Sequence, residues 1–247
     1  MVDRHREVWN SLGSYDPDWA VLSDPEHRFH GWDDDLDRFY ASGRDEVADV
    51  LEQVAEVQAG AALDWGAGTG RLSFALSERF RAVTAYDHSE SMLSTLEQRA
   101  TARSVTNVRT TSEFGEIADR SFDLVLSLLV LQHLPNQAAV TRAIRQMCAV
   151  TRSGGWIVVE IPAHAETLRA VLQPRYRIYR LLRLARVPAK MLQSKGISGI
   201  SMVTVGSSRV RQAFEAGHAT VRHMVSVPRP DTTYSYVRYF AQRLSEG

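Results

Sequence analysis

Cysteine is almost missing from the chain: Cys148 is its one thiol in 247 residues. An intrachain disulfide is therefore excluded, and Cys148 falls in an apolar helical pattern that reads as packing. Long apolar runs are missing too. None approaches the ~18 residues of a membrane-spanning helix, and Met1-Val2-Asp3-Arg4-His5-Arg6 lacks the apolar core of a signal peptide. The expected location is cytoplasmic. Internal repeats and low-complexity tracts are not seen, and no recognisable RNA- or DNA-binding module occurs, so no nucleic-acid partner is expected. What remains, at 44% hydrophobic and 23% charged residues, is the composition of a soluble globular protein with one large domain.

Net charge is also lacking, since 29 Lys and Arg balance 29 Asp and Glu. That zero hides a gradient. Residues 1–60 hold 15 acids against 5 bases, residues 61–162 hold ten of each, and residues 163–247 hold 4 acids against 14 bases. Either the two ends pack against each other, or the basic end meets an anionic substrate or a membrane surface.

The chain is organised around Ala61-Ala62-Leu63-Asp64-Trp65-Gly66-Ala67-Gly68-Thr69-Gly70-Arg71. A short apolar run ends in an acid, glycines follow at alternate positions, and helix-forming residues begin at once. The pattern predicts a buried strand turning tightly into a helix. Glycines permit φ > 0 and let a ligand approach the backbone, while the helix N-terminus suits an anionic group. A dinucleotide fingerprint would read G-x-G-x-x-G. Here the third glycine comes one residue early and Arg71 stands where a small residue is needed, which points away from a pyrophosphate. The next strand, Ala82–Asp87, ends in an acid 23 residues after Asp64. An acid at that tip is placed to accept both hydroxyls of a ribose, at roughly 1.5–3 kcal/mol for each charge-assisted bond.

Asp64-x-Gly66-x-Gly68-x-Gly70 closely resembles motif I of class I S-adenosylmethionine-dependent methyltransferases. The resemblance implies S-adenosylmethionine as cofactor, cradled by Asp64, Gly66, Ala67, Gly68 and Gly70. Asp87-His88-Ser89-Glu90-Ser91-Met92-Leu93 resembles the family's next motif, in which the serine caps a helix and Met92 lies on the adenine. Glu113, four residues before Ile117, takes the place of an acid that holds the adenine amino group, although aspartate is commoner there, and Phe114 would stack near the ring. Leu128 closes the fourth strand at the same sheet edge. Beyond it, Val130-Leu131-Gln132-His133-Leu134-Pro135 resembles a segment of small-molecule methyltransferases. The Asn/Asp-Pro-Pro-aromatic loop of amino-methylating nucleic-acid enzymes is missing, as is the double-glutamate loop of arginine methylation. The resemblance covers roughly residues 60–162.

Outside that stretch the residues speak for themselves. Residues 1–58, rich in aromatics and acids, read as a helical cap, with residues 59–247 forming the methyltransferase domain. Ser42-Gly43-Arg44 predicts a helix start, from which Arg44 could reach a cofactor carboxylate. Residues 163–205 read as a helical lid insertion. Within it Ile178, Leu181, Leu182 and Ala185 share one helical face while Arg177, Arg180, Arg183 and Arg186 recur at three-residue steps. A membrane surface or an anionic substrate is a candidate partner of 169–195, Gly196-Ile197-Ser198-Gly199 is a candidate hinge, and Pro228-Arg229-Pro230 separates two final strands.

The expected fold is α/β: a Rossmann-like, doubly wound, mostly parallel seven-stranded sheet with a C-terminal antiparallel hairpin and a helical insertion before it. The expected function is methyl transfer to a small-molecule acceptor, at an oxygen, with His133 as general base because its unperturbed pKa of ~6.5 suits neutral operation. Two alternatives stand beside it: a lipid or phosphorylated acceptor held by the arginine helix, and a cofactor-binding protein without catalysis.

Overall fold

Short apolar runs alternating with helical periods build one seven-stranded sheet. A computed structural model describes residues 4–54, 56–118, 121–197, 199–229 and 233–244. Three helices come first: α1 (Arg4–Gly13), α2 (Pro17–Val21) and α3 (Leu36–Gln53). Strands and helices then alternate through β1 (Ala61–Trp65), α4 (Arg71–Ser77), β2 (Ala82–Tyr86), α5 (Glu90–Ala102), β3 (Val108–Thr111), β4 (Phe122–Ser127), α6 (Gln137–Val150) and β5 (Thr151–Ala165). Helices α7 (Leu168–Leu172), α8 (Pro174–Leu184), α9 (Ala189–Ser194) and α10 (Ser207–Glu215) follow, and β6 (Ala219–Val227) and β7 (Tyr234–Arg243) close the chain.

The sheet order is β3-β2-β1-β4-β5-β7-β6. Strands β1 to β5 are parallel, and β7 runs antiparallel to β5 and to β6. The order reverses between β1 and β4, which opens a crevice at the carboxyl edge of those strands. Alternation decides the layers. Leu63, Val125, Ile157 and Val159 face α6 and α10, where they meet Ile144, Met147 and Phe214. Ala62, Leu124, Leu126 and Val158 face α3 and α4, where they meet Val47, Val50, Leu72 and Leu76. Burial on both faces explains why β4 reads as an unbroken apolar run.

The structure departs from the sequence reading at several boundaries. Helix α3 begins at Leu36, six residues before the expected capping Ser42, whose hydroxyl instead donates back to the Phe39 carbonyl at 2.7 Å. Gly43 is a contact point there, not a helix start: a Cβ on it would collide with the Arg71 carbonyl oxygen. Strand β5 runs on past Ile161, since β7 pairs with it from Trp156 to Ala165. The basic segment is three helices, not one. It breaks at Gln173 (φ +44) before Pro174 and at Arg186 (φ +62), two residues before Pro188, because proline cannot continue a helix interior. Ser198 of the hinge and Pro230 of the last loop lie outside the described residues.

The charge gradient is used partly within the fold. Glu46 of α3 pairs with Arg229 and Arg238, Asp49 pairs with Arg238, and Glu7 pairs with Arg183. Glu160, fully buried on β5, accepts from both Arg229 and Arg238. This network pins α3 to the sheet. Among the described residues no helix is long and apolar enough to cross a membrane.

Candidate functional site

The turn after β1 has the backbone its glycines predict. Gly66, Gly68 and Gly70 all have positive φ, at +85°, +52° and +94°. The amides of Gly66 and Ala67 both donate to the Tyr86 carbonyl, at 2.7 and 3.0 Å, which ties the turn to the end of β2. The Gly68 amide donates to Asp87 Oδ2 at 2.9 Å, while the Ser89 amide donates to Asp87 Oδ1 at 2.8 Å. Ser89 also caps α5, its hydroxyl accepting from the Met92 amide. A Cβ on Gly66 would strike Val130, and one on Gly68 would strike Val21. The space above the turn is thus bounded by the loop after β4 and by the N-terminal helices.

A cavity of about 500 Å³ opens there, within the ~300–1,000 Å³ of small-molecule sites. The turn contributes Asp64, Gly66, Ala67 and Gly68; the end of β2 and the start of α5 contribute Asp87, His88 and Met92. Glu113, Phe114, Leu128 and His133 complete the set of expected residues that reach it. Asp64 is 1% exposed, and burial pushes its carboxyl up to about 6 although the Ser73 hydroxyl donates to it at 2.6 Å. Burial also raises the Asp87 carboxyl, opposed by its two amide donors. Phe114 lies tilted at 5.1 Å from Trp65. The Glu113 carboxylate is mostly exposed and meets Arg6 at 3.2 Å. His88 Nε2 lies 3.1 Å from the Tyr86 hydroxyl.

His133 forms part of a partition. Its Nδ1 lies 3.2 Å from the Ser201 carbonyl, so Nδ1 carries the proton and Nε2 keeps a lone pair. Burial pushes the imidazole down to about 4, so the ring is neutral at pH 7. His5 bonds to the His133 carbonyl at 2.8 Å, and Trp9 lies tilted at 5.2 Å from the imidazole. On the other side a second cavity of about 500 Å³ shares His5, Trp9, His133 and Pro135 with the first. Tyr176, Tyr179, Arg180 and Arg183 of α8 line its far wall.

Two expected residues fall outside the cavity. Arg44 is exposed in mid-α3, because that helix starts earlier and runs past it. Gly70 sits behind the turn, capping α4 in the left-handed region against Leu96 and Phe74. Two other arginines do reach the cavity, Arg142 of α6 and Arg71; the latter is 2% exposed, with Nη1 on the Ser42 hydroxyl and a buried Nε without a hydrogen-bond partner. Its place one residue after the last glycine was the signal available for it. His5, Trp9, Ala20 and Val21 also line the cavity. Asp18 holds α2, which carries Ala20 and Val21: buried, it accepts from the Thr69 hydroxyl of the turn at 2.7 Å and bidentately from Arg99 at 2.6 Å. Helix α1, which carries His5 and Trp9, is held at Asn10, which accepts from the Ser89 and Ser91 hydroxyls.

Residues 63–159 match the family described as a methyltransferase domain. The matched stretch runs from within β1 to within β5. The chain's seven-stranded architecture is shared by solved methyltransferase structures. The chain is similar to magnesium protoporphyrin IX methyltransferase from Synechocystis PCC 6803, solved with bound SAH, at a TM-score of 0.66, 16% identity and coverage of 96% of this chain and 97% of that one. An S-adenosylmethionine-dependent methyltransferase from Clostridium acetobutylicum ATCC 824 gives a TM-score of 0.59 at 13% identity, over 83% and 92% of the two chains. Among curated proteins, the uncharacterized protein YafE of Escherichia coli K12 is 33% identical over 97 residues, 38% of this chain. The chain spans 45% of the length of that relative.

Proposed function

We propose that the protein transfers a methyl group from S-adenosylmethionine to an oxygen of a small-molecule acceptor. The observation that supports this best is convergence: two buried carboxylates, a bare glycine backbone and an aromatic ring, from three separate segments, line one cavity. The residues fit the cofactor. Asp64 is suited to its ammonium group, Arg71 Nε to its carboxylate, Asp87 to the ribose hydroxyls, and Met92, Glu113 and Phe114 to the adenine. When bound, S-adenosylmethionine supplies a methyl group already activated by positive sulfur.

The chain's own residues then have two tasks, alignment and one proton. Holding acceptor oxygen and methyl in line accounts for about 7–11 kcal/mol of barrier lowering in well-oriented reactions. We assign the acceptor to the second cavity, across the partition that His133 shares with Trp9 and His5. His133 Nε2 takes the hydroxyl proton as the oxygen gains its new bond. With its imidazole at about 4, His133 is a weak base towards a free alcohol. It becomes strong enough as carbon–oxygen bonding turns that oxygen into a far stronger acid, which places proton transfer late. Residues 1–58 act in this reading as the cap that closes the cofactor cavity. An acceptor carrying a phosphate or another anionic group is a second reading, favoured by Arg180 on the far wall.

Isotopically labelled S-adenosylmethionine, incubated with the protein and a fractionated small-molecule extract, tests the reading. Label is expected in an acceptor, with equimolar S-adenosylhomocysteine. Saturable cofactor binding with no turnover across many acceptors would instead support the non-catalytic alternative.

A further inference from the structure

The amphipathic helix α8 faces the wrong way for a buried insertion. Tyr179, buried, and Arg183, half-buried, point inward to the second cavity. The apolar stripe points out: Ile178 is 46% exposed and Leu181 66%. Ten large apolar side chains are exposed among the described residues, and seven of them fall between Leu168 and Met191. Such concentration is unlike the scattered apolar exposure of an ordinary surface.

Charge surrounds this apolar face. From Thr167 to Ser208 the chain has eight bases and no acid. Arg175, Arg177, Arg180 and Arg186 are exposed and pair with no acid among the described residues. An outward apolar stripe flanked by long cationic side chains is the pattern of a helix lying in the headgroup region of an anionic leaflet. The arginine stems cover apolar surface while the guanidinium groups reach lipid phosphate. A symmetric dimer through this face is disfavoured, because it would bring two such clusters of bases together.

We infer that α7 to α9 form a docking surface for an anionic lipid bilayer, with the Leu168–Met191 apolar side chains in the headgroup–acyl boundary. Docking stands independently of methyl transfer. On the reading given above, it has a consequence for the acceptor. Arg180 and Leu184 are exposed and also line the second cavity, so that cavity reaches the surface on the face turned towards the lipid.

Flotation with vesicles tests this on the full chain without cofactor. Vesicles of phosphatidylcholine with about a third phosphatidylserine should carry the protein, and pure phosphatidylcholine should not. Raising salt from about 0.05 to about 0.5 M should weaken capture several-fold. Leu168→Ser/Ile178→Ser/Leu181→Ser should weaken it by about tenfold or more, and Arg175→Glu/Arg177→Glu should remove most of the preference for anionic lipid. Calorimetry with S-adenosylhomocysteine should give the same affinity for both variants as for the parent chain, which keeps this test separate from the methyltransferase reading. Equal capture by neutral vesicles, no capture at all, or capture untouched by the apolar triple variant would overturn the proposal. So would a parent dimer that the triple variant makes monomeric in light scattering, which would assign the face to self-association.

Discussion

Cofactor binding should release a proton, and Asp64 is its source. In the folded chain burial pushes this carboxyl up to about 6 from an ordinary 3.8. The folded state therefore holds the proton more firmly than the unfolded chain, and the contribution is stabilising below 3.8 and lost as pH rises through 6. The loss comes to about 3 kcal/mol at 1.36 kcal/mol per unit. A cationic ligand beside Asp64 selects its ionised form. Apparent affinity is then the intrinsic affinity scaled by the ionised fraction. That fraction is about one tenth at pH 5 and near unity at pH 8, so S-adenosylhomocysteine should bind about tenfold more weakly at pH 5. Calorimetry in two buffers of different ionisation enthalpy should count approximately one proton released at pH 5 and none at pH 8. Asp64→Asn should bind weakly at every pH, lose the slope that Asp64 supplies, and gain stability at pH 8. Burial also raises Asp87, which adds to the acid limb in both chains, so the Asp64 contribution is read as the difference between the parent and the Asp64→Asn variant. An affinity flat from pH 5 to 8, or an unchanged slope in the variant, would refute the reasoning.

Asp87→Ala should weaken cofactor binding by about a hundredfold or more, since two charge-assisted ribose bonds at roughly 1.5–3 kcal/mol each are lost; titration calorimetry reads this directly. His133→Gln should leave cofactor affinity within about twofold and reduce turnover by about 10²-fold or more. In the parent chain, turnover at saturating cofactor should stay level from pH 8 towards 6 and fall only as pH approaches the His133 value of about 4. Gly68→Ala meets both a left-handed backbone and the Val21 side chain, so it should lower stability by about 1–3 kcal/mol in urea unfolding and weaken cofactor binding as well. Glu160→Ala leaves the buried Arg238 and Arg229 guanidinium groups short of their shared partner, and should cost about 3–5 kcal/mol in the same assay.

The sheet was legible because its signals are local. Leu124–Leu126 can be apolar throughout only in a strand covered on both faces, and Asp64-Trp65-Gly66 can end that way only at a strand-to-turn junction. The cofactor cavity was legible for the same reason, as each acid follows directly on a strand. Residues contributed by distant chain were not legible. Val21 reaches the cavity because Asp18 clamps α2 to Thr69 and Arg99, 51 and 81 residues away, and Trp9 and His5 reach it on α1, where Asn10 accepts from the Ser89 and Ser91 hydroxyls. No periodicity in residues 1–40 encodes that clamp. Arg44 reads as a carboxylate partner because Ser42 reads as a helix start, and a short side chain beside a glycine looks like a cap until its hydroxyl is seen bonded to Phe39. Arg71 reads as a misfit in a glycine motif, whereas the fold buries it as a cation at the cavity.

Helix α8 shows a further limit, one of direction and not of position. Its sequence displays an apolar stripe and an arginine stripe, and amphipathicity alone says that two surroundings meet along the helix. It does not say which surrounding is the protein. In a soluble insertion the leucines turn inward, and in α8 they turn outward while Tyr179 and Arg183 take the inner face. The inversion is tolerated because the inner wall borders a cavity with polar and aromatic lining, where Glu7 meets Arg183 at 3.0 Å. Leucines turned to water gain nothing from folding, so a stripe kept there finds its burial in something other than this chain. The unpaired arginines beside it narrow that something to an anionic surface.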